Sequence, residues 1–251
     1  MTRPWFETAF GAHYPRLYAH RDEAEARLCL DLLPRMAPLQ PTGRPVLDLG
    51  CGDGRHLARI AEMTSLVLGL DLSRDLLRLA AGRPGTGNLV RGDMRRLPLR
   101  AGSLDSVLSL FTAFGYFGPL AGNAPVVREV ARVLTTGGHW FLDYLDPERV
   151  RAELAGRPPV RRERLLGEAR VLETRRLSAD GTQVCKEVVL HHDPGAEPLR
   201  YTEEVALFSL EQMDDLAATC GLRRVAAAGS YGGAELGAGD RWILVYRRET
   251  P

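Results

Sequence analysis

The run PVLDLGCGDGRHLARIAEM, residues 45–63, constrains the fold more than any other part of the chain. Val46 to Leu49 is an apolar run too short for a helix, and glycines at 50, 52 and 54 follow it at once. Leu57, Ile60 and Ala61 then recur at helical spacing. Strand, tight turn and helix in that order open a unit whose chain returns to a parallel strand. The pattern repeats. LVLGLD (66–71) reads as a second strand, and SRDLLRLAAG as a helix with Ser73 at its N-cap and Gly82 just past its end. NLVRGD (88–93), LDSVLSLFTAF (104–114) and GGHWFLDYL (137–145) read as further strands, with a helix over PVVREVARVL (125–134). The expected result is an α/β fold, a doubly wound parallel sheet with helices on both faces.

The flanks depart from this alternation. Between Tyr14 and Met36, Leu17, Ala24, Leu28 and Leu32 recur at helical spacing, which predicts one N-terminal helix ended by Pro34 and Pro38. After Asp146 four strand-like runs follow one another, VRRERLLG, ARVLETRRLS, TQVCKEVVLHH and LRYTEEVALFS, with a hairpin turn at Ala179, Asp180 and Gly181. SLEQMDDLAATCG then predicts an N-capped helix ending at Gly221, and LRRVAAAGSY and DRWILVYRR a closing strand pair. At 251 residues and 45% hydrophobic, the chain is long enough for one large core. The divisions read from it are a helical lid (1–40), a core (41–146), an antiparallel β cap inserted after strand five (147–207), and a closing helix and strand pair (208–251).

Asp48, Gly50, Gly52 and Gly54 form a D-x-G-x-G-x-G turn, in which missing side chains bring backbone and a helix N-terminus close to a ligand. A dinucleotide fingerprint needs a third glycine at 55, where Arg55 stands, and Asp48 is a poor neighbour for a pyrophosphate. The acidic residue favours a cation. Asp71 ends the second strand, where a carboxylate accepts from two ribose hydroxyls. Asp93 ends the third, where it could accept from an adenine amino group with Met94 packed on the ring. A nucleoside without phosphates is implied.

VLDLGCGDG (46–54), LGLDLS (68–73), GDMRRLPL (92–99) and LDSVLSL (104–110) resemble the class I S-adenosylmethionine-dependent methyltransferases in order and spacing. That resemblance implies a Rossmann-like, seven-stranded, mostly parallel sheet and S-adenosyl-L-methionine as cofactor. By position it puts Gly50, with Cys51 and Gly52, on the methionine part, Asp71 with Leu72 on the ribose, and Asp93 with Met94 on adenine. Phe111 opens FTAFGYF (111–117), which resembles the FTSFGYF segment of a subgroup acting on small molecules, with Ala113 where serine is usual. In this family the N-terminal helix often covers the cofactor, which makes Tyr18 and Arg21 cofactor contacts and Tyr14 and Tyr116 walls of the acceptor pocket. The D/N-P-P-Y/F segment of DNA and glutamine amino-methylases does not follow strand four. A small-molecule acceptor is the expectation.

Asp143 and Tyr144 end strand five on the side where open α/β sheets bind ligands, which makes them acceptor-site candidates. His139 reads as a structural histidine of a buried strand, and His191 with His192 as a solvated turn carrying no metal-ligand spacing. The arginines of RPPVRRERLLGEARVLETRR interleave with Glu163, Glu168 and Glu173 and lack stacking aromatics, a mixed-charge face rather than a nucleic-acid surface. A net charge of +1 likewise draws the chain to neither nucleic acid nor acidic lipid. Four scattered cysteines without a CxxC pair suit a reducing cytoplasm, and nothing resembles a signal peptide or a membrane span. The cap's open strand edges suit a homodimer. The competing functions are methylation of RNA or protein, binding of S-adenosylmethionine without turnover, and, from fold analogy, NAD-dependent oxidation.

Overall fold

Strand β1 (Val46–Leu49) is buried at all four positions, as an apolar run covered on both faces must be. The computed structural model describes residues 4–18, 23–40, 42–167, 169–191 and 197–250. Around β1 lie β2 (Val67–Asp71), β3 (Asn88–Arg91), β4 (Leu104–Ser109) and β5 (Leu134–Leu145), and the chain later adds β10 (Leu222–Ala228) and β11 (Arg241–Arg248). The sheet order is β10-β11-β5-β4-β1-β2-β3, with β11 antiparallel to both its neighbours and the other pairs parallel. This is the expected doubly wound arrangement with a reversed closing pair.

Alternation along β5 separates the two faces of the core. Trp140, Leu142 and Tyr144 pack with helices α6 (Leu120–Val133) and α8 (Leu210–Thr219), and α8 starts at Ser209 in a capping box with Gln212. Phe141 packs on the other face with Ile243 and Val245 against α3 (Glu23–Met36) and α4 (Leu57–Met63). Gly69 in β2 marks how closely α4 approaches, since a Cβ there would lie 2.7 Å from Leu57 Cδ1. Ser73 caps α5 (Arg74–Ala81) by accepting from the Leu76 amide.

The cap is a second sheet, β6-β7-β8-β9, from Val160–Leu166, Ala169–Leu177, Gln183–His191 and Leu199–Ala206, antiparallel throughout. Two of its arginines are paired within it, Arg170 with Glu163 and Arg164 with Glu173, and Arg175 reaches Glu153 outside it. No helix among the described residues is long and apolar enough to cross a membrane.

Four expectations need correction. The stretch from Tyr14 to Met36 read as one helix carries two among the described residues, α2 (Tyr14–Leu17) and α3, with α1 (Trp5–Ala9) ahead of them, and Pro34 lies inside α3 rather than ending it. Of the expected apolar set Leu17 and Leu32 are buried, but Leu28 is 59% exposed, and Cys29, Leu30 and Leu33 share the buried face of α3 instead. Strand four stops at Ser109 instead of running to Phe114, because Phe111 and Thr112 turn into left-handed backbone. A further helix, α7 (Pro147–Leu154), precedes the cap; Asp146 caps it through the amides of Glu148 and Arg149.

Candidate active site

The glycine turn leaves β1 at its C-terminal end, where open α/β sheets form their ligand crevice. Gly50 and Cys51 both donate their amides to the Leu70 carbonyl, at 2.8 and 3.0 Å, which presses the turn onto the end of β2. Gly50 has φ +81°, and a Cβ there would sit 2.9 Å from Ala113 Cβ. Asp71 organises the same region. One of its carboxylate oxygens accepts from the Gly52 amide at 2.9 Å and the other from the Ser73 amide at 2.7 Å, and each oxygen keeps acceptor capacity.

These groups line a cavity of about 400 Å³, within the range of small-molecule sites. Gly50, Cys51, Gly52, Asp71, Leu72, Asp93, Met94 and Phe111 all border it, as do Tyr14, Tyr18 and Tyr116. Arg21 and His192 lie outside the described residues. Asp48 does not reach the cavity wall. It is 1% exposed beneath the turn, with Oδ2 3.9 Å from His56 Nδ1 and without a hydrogen-bond partner. Burial, then the nearby Asp71 charge, pushes the Asp48 carboxyl up to about 7, while burial and Arg55 push His56 down to about 3. Asp93 is gripped by Arg95 (Nη2 to Oδ2, 2.6 Å), which holds its carboxyl below the usual range.

The wall opposite the glycine turn is aromatic. Phe6, Phe10, Tyr14, Tyr18, Tyr116 and Phe117 line it. Phe10 stands 5.1 Å from Tyr14 and 5.5 Å from Tyr116 between ring centres, and Phe6 5.2 Å from Phe117. Tyr18 fastens this lid to the cap: its hydroxyl donates to Glu203 Oε1 at 2.5 Å and accepts from Lys186 Nζ. Burial, then the Glu203 charge, keeps that phenol protonated well above its ordinary range. Sequence reasoning missed Phe6 and Phe10, although their i, i+4 spacing in WFETAF was a usable signal for a short amphipathic helix. Arg55, His56 and Arg83, also at the cavity, carried no recognisable pattern.

Asp143 and Tyr144 are corrected as acceptor contacts. Both are fully buried and neither borders the cavity. Tyr144 packs into the α6 and α8 face and donates its hydroxyl to the Ala206 carbonyl. Asp143 takes Arg241 Nε on Oδ1 at 2.5 Å, and Tyr231 OH and the Phe111 amide on Oδ2, each at 2.7 Å. His139 is a buried strand residue away from the cavity, lowered by desolvation.

Comparison with known proteins adds three likenesses and one family. Residues 46–138 match the family described as methyltransferase domain. The cypemycin N-terminal methyltransferase of a Streptomyces species is 30% identical over 210 residues, covering 81% of this chain and 82% of that protein. The dTDP-3-amino-3,6-dideoxy-alpha-D-glucopyranose N,N-dimethyltransferase of Streptomyces fradiae is 32% identical over 139 residues, 53% of this chain. That match spans about half of the relative's length, 52%. Among solved structures, S-adenosylmethionine-bound CalS10, an amino pentose methyltransferase of Micromonospora echinaspora, superposes with a TM-score of 0.70 at 25% identity, covering 94% of this chain and 96% of that one.

Proposed function

Because the chain belongs to the class I S-adenosylmethionine-dependent methyltransferases, we propose that it transfers the methyl group of S-adenosylmethionine to an amine nitrogen of a small molecule. The residues fit that cofactor on three counts. Asp48, buried beneath the turn that borders the cavity, carries an acceptor oxygen without a hydrogen-bond partner, so its charge favours a cation in the cavity across the turn rather than by contact. A Cβ at Gly50 would crowd Ala113 of the cavity lining at 2.9 Å, so the turn lies this close to the pocket only with glycine there. Asp71 holds two backbone amides and keeps acceptor capacity for two ribose hydroxyls.

In this reading Gly50, Cys51 and Gly52 border the methionine portion, Asp71 and Leu72 the ribose, and Asp93 and Met94 the adenine. Bound S-adenosylmethionine supplies an electrophilic methyl carbon: an acceptor lone pair forms the new bond as the carbon–sulfur pair leaves with sulfur. The chain's own task is alignment and exclusion of water. The observation that carries the amine reading is the aromatic wall of Phe6, Phe10, Tyr14 and Tyr116. Ring faces stabilise a nitrogen that becomes cationic as it is methylated, and a neutral amine needs no base to attack. The relatives support it too, since one is an N,N-dimethyltransferase of a dTDP-amino-dideoxyglucopyranose and another the N-terminal methyltransferase of cypemycin.

The test is to incubate the protein with S-adenosylmethionine and matched panels of small amines, alcohols and phenols, and to read methyl gain by mass spectrometry. Methylation confined to amines is expected. Methyl transfer to alcohols alone, or only to RNA or protein, would overturn the proposal.

A pH dependence follows from Asp48. Its carboxyl attracts a cation in the cavity across the glycine turn only when ionised, and burial raises it to about 7 in the folded protein. Affinity for S-adenosylmethionine is therefore expected to rise between pH 6 and 7.5 by up to about tenfold, until the ligand's own amino group, near 8, begins to titrate. His56, at about 3, stays neutral throughout that window. The same raised carboxyl makes the ligand-free protein lose stability as pH climbs from about 4 through 7. Titration calorimetry across the window checks the first point, and a flat profile would rule it out.

A further inference from the structure

Phe111 and Thr112 are the described non-glycine residues with positive φ, at 52° and 63°, and they are consecutive. Two L-residues in left-handed backbone persist only where the surroundings hold them there. Here the holding groups come from three distant stretches of chain. The Phe111 amide donates to Asp143 Oδ2 at 2.7 Å and the Thr112 amide to the Asp143 carbonyl at 2.9 Å. Arg241 donates Nε to Asp143 Oδ1 at 2.5 Å and Nη2 to Thr112 Oγ1 at 3.0 Å. Tyr231 completes the set by donating its hydroxyl to Asp143 Oδ2 at 2.7 Å. Burial, and then the adjacent Asp143 carboxylate, keep that phenol protonated well above its ordinary range.

What the kink presents is functional surface. Leu110, Phe111 and Ala113 border the cavity, whereas Asp143, Arg241, Tyr231 and Thr112 do not. A Cβ on Gly50 would come within 2.9 Å of Ala113 Cβ, so the kink packs closely on the glycine turn. The Phe111 ring is packed with His56 at 4.9 Å, Arg55 at 4.4 Å and Tyr231 at 5.9 Å. A shift of the kink moves the wall beside the methionine-binding turn.

We propose that Asp143, Arg241, Tyr231 and the Thr112 hydroxyl are positioning residues: they lock the Phe111–Thr112 kink against the glycine turn and so shape the cofactor pocket without touching its occupant. This rests on the cofactor reading given above. Thr112→Val keeps the shape of the side chain and removes the Arg241 acceptor; Thr112→Ser keeps the acceptor. Titration calorimetry with S-adenosylmethionine is expected to show Thr112→Val binding about tenfold more weakly, with Thr112→Ser recovering most of that loss. Asp143→Asn and Tyr231→Phe, confirmed folded by circular dichroism, are expected to weaken binding as well. Ser209→Ala, which removes the α8 cap far from the cavity, serves as the stability control: it should lower the melting temperature without moving affinity. Wild-type affinity in both Thr112→Val and Tyr231→Phe, or a Thr112→Ser variant as weak as Thr112→Val, overturns the proposal. Failure of the wild-type protein to bind S-adenosylmethionine would instead overturn the cofactor reading beneath it.

Discussion

Asp71→Ala is expected to weaken S-adenosylmethionine binding by about two to four orders of magnitude. The estimate takes two charge-assisted hydrogen bonds to ribose hydroxyls at about 1.5–3 kcal/mol each. The substitution also frees the Gly52 and Ser73 amides that the carboxylate now holds at 2.9 and 2.7 Å, so the glycine turn loosens with it. A second consequence separates Asp71 from a generic loss of structure. Its charge is one of the influences raising Asp48 toward 7, so the pH profile of residual binding should move to lower pH in the variant. Calorimetry at several pH values reads both effects. Affinity within about threefold of wild type would remove Asp71 from the site.

Gly50→Val is the second large effect, and it acts on stability and binding together. At φ +81° a β-branched residue is strained wherever it sits, and its Cβ would lie 2.9 Å from that of Ala113. Strain and overpacking together are expected to destabilise the fold by about 3–5 kcal/mol. Displacing the kink and the turn that line the cavity should leave no measurable cofactor binding. Chemical denaturation and titration of the same sample test this, and a variant that melts and binds like wild type would contradict it. Gly52 is the milder comparison. A Cβ there meets nothing nearer than Leu76 Cδ1 at 3.9 Å, so only backbone strain should be felt.

Legibility in the sequence followed how local the deciding physics is. The order of parallel strands could be read because each strand, turn and cap announces itself within about ten residues: β1 by its apolar run, α5 by Ser73, α8 by its capping box. That Asp71 and Met94 border one cavity was legible for the same reason, since strand ends in such a sheet converge on one crevice. Leu28 was misplaced because Cys29, Leu30 and Leu33 offer an alternative apolar face on the same helix, and only packing decides between them. Helix α7 was missed because its eight residues begin at a proline directly after a strand. Asp143 was misassigned for a deeper reason. Its partner Arg241 lies 98 residues away, so whether its carboxylate faces a ligand or a guanidinium is settled by tertiary contact alone.

The two walls of the cavity differ in how they can be inherited. The wall built around Gly50, Asp71 and Asp93 comes from one contiguous stretch of the parallel sheet, whereas the aromatic wall depends on α1 and α2 lying against the cap. Leu17 and Tyr18 pack there on Val171, Val188, Leu190 and Tyr201, from strands more than 150 residues further along the chain. A graft that exchanges the lid alone would set a foreign helix on an unmatched sheet. Moving the lid and the cap together would exchange the acceptor side as a unit and leave the cofactor wall intact. Divergence among relatives should accordingly appear as paired change in these two segments, with the glycine turn free to stay as it is.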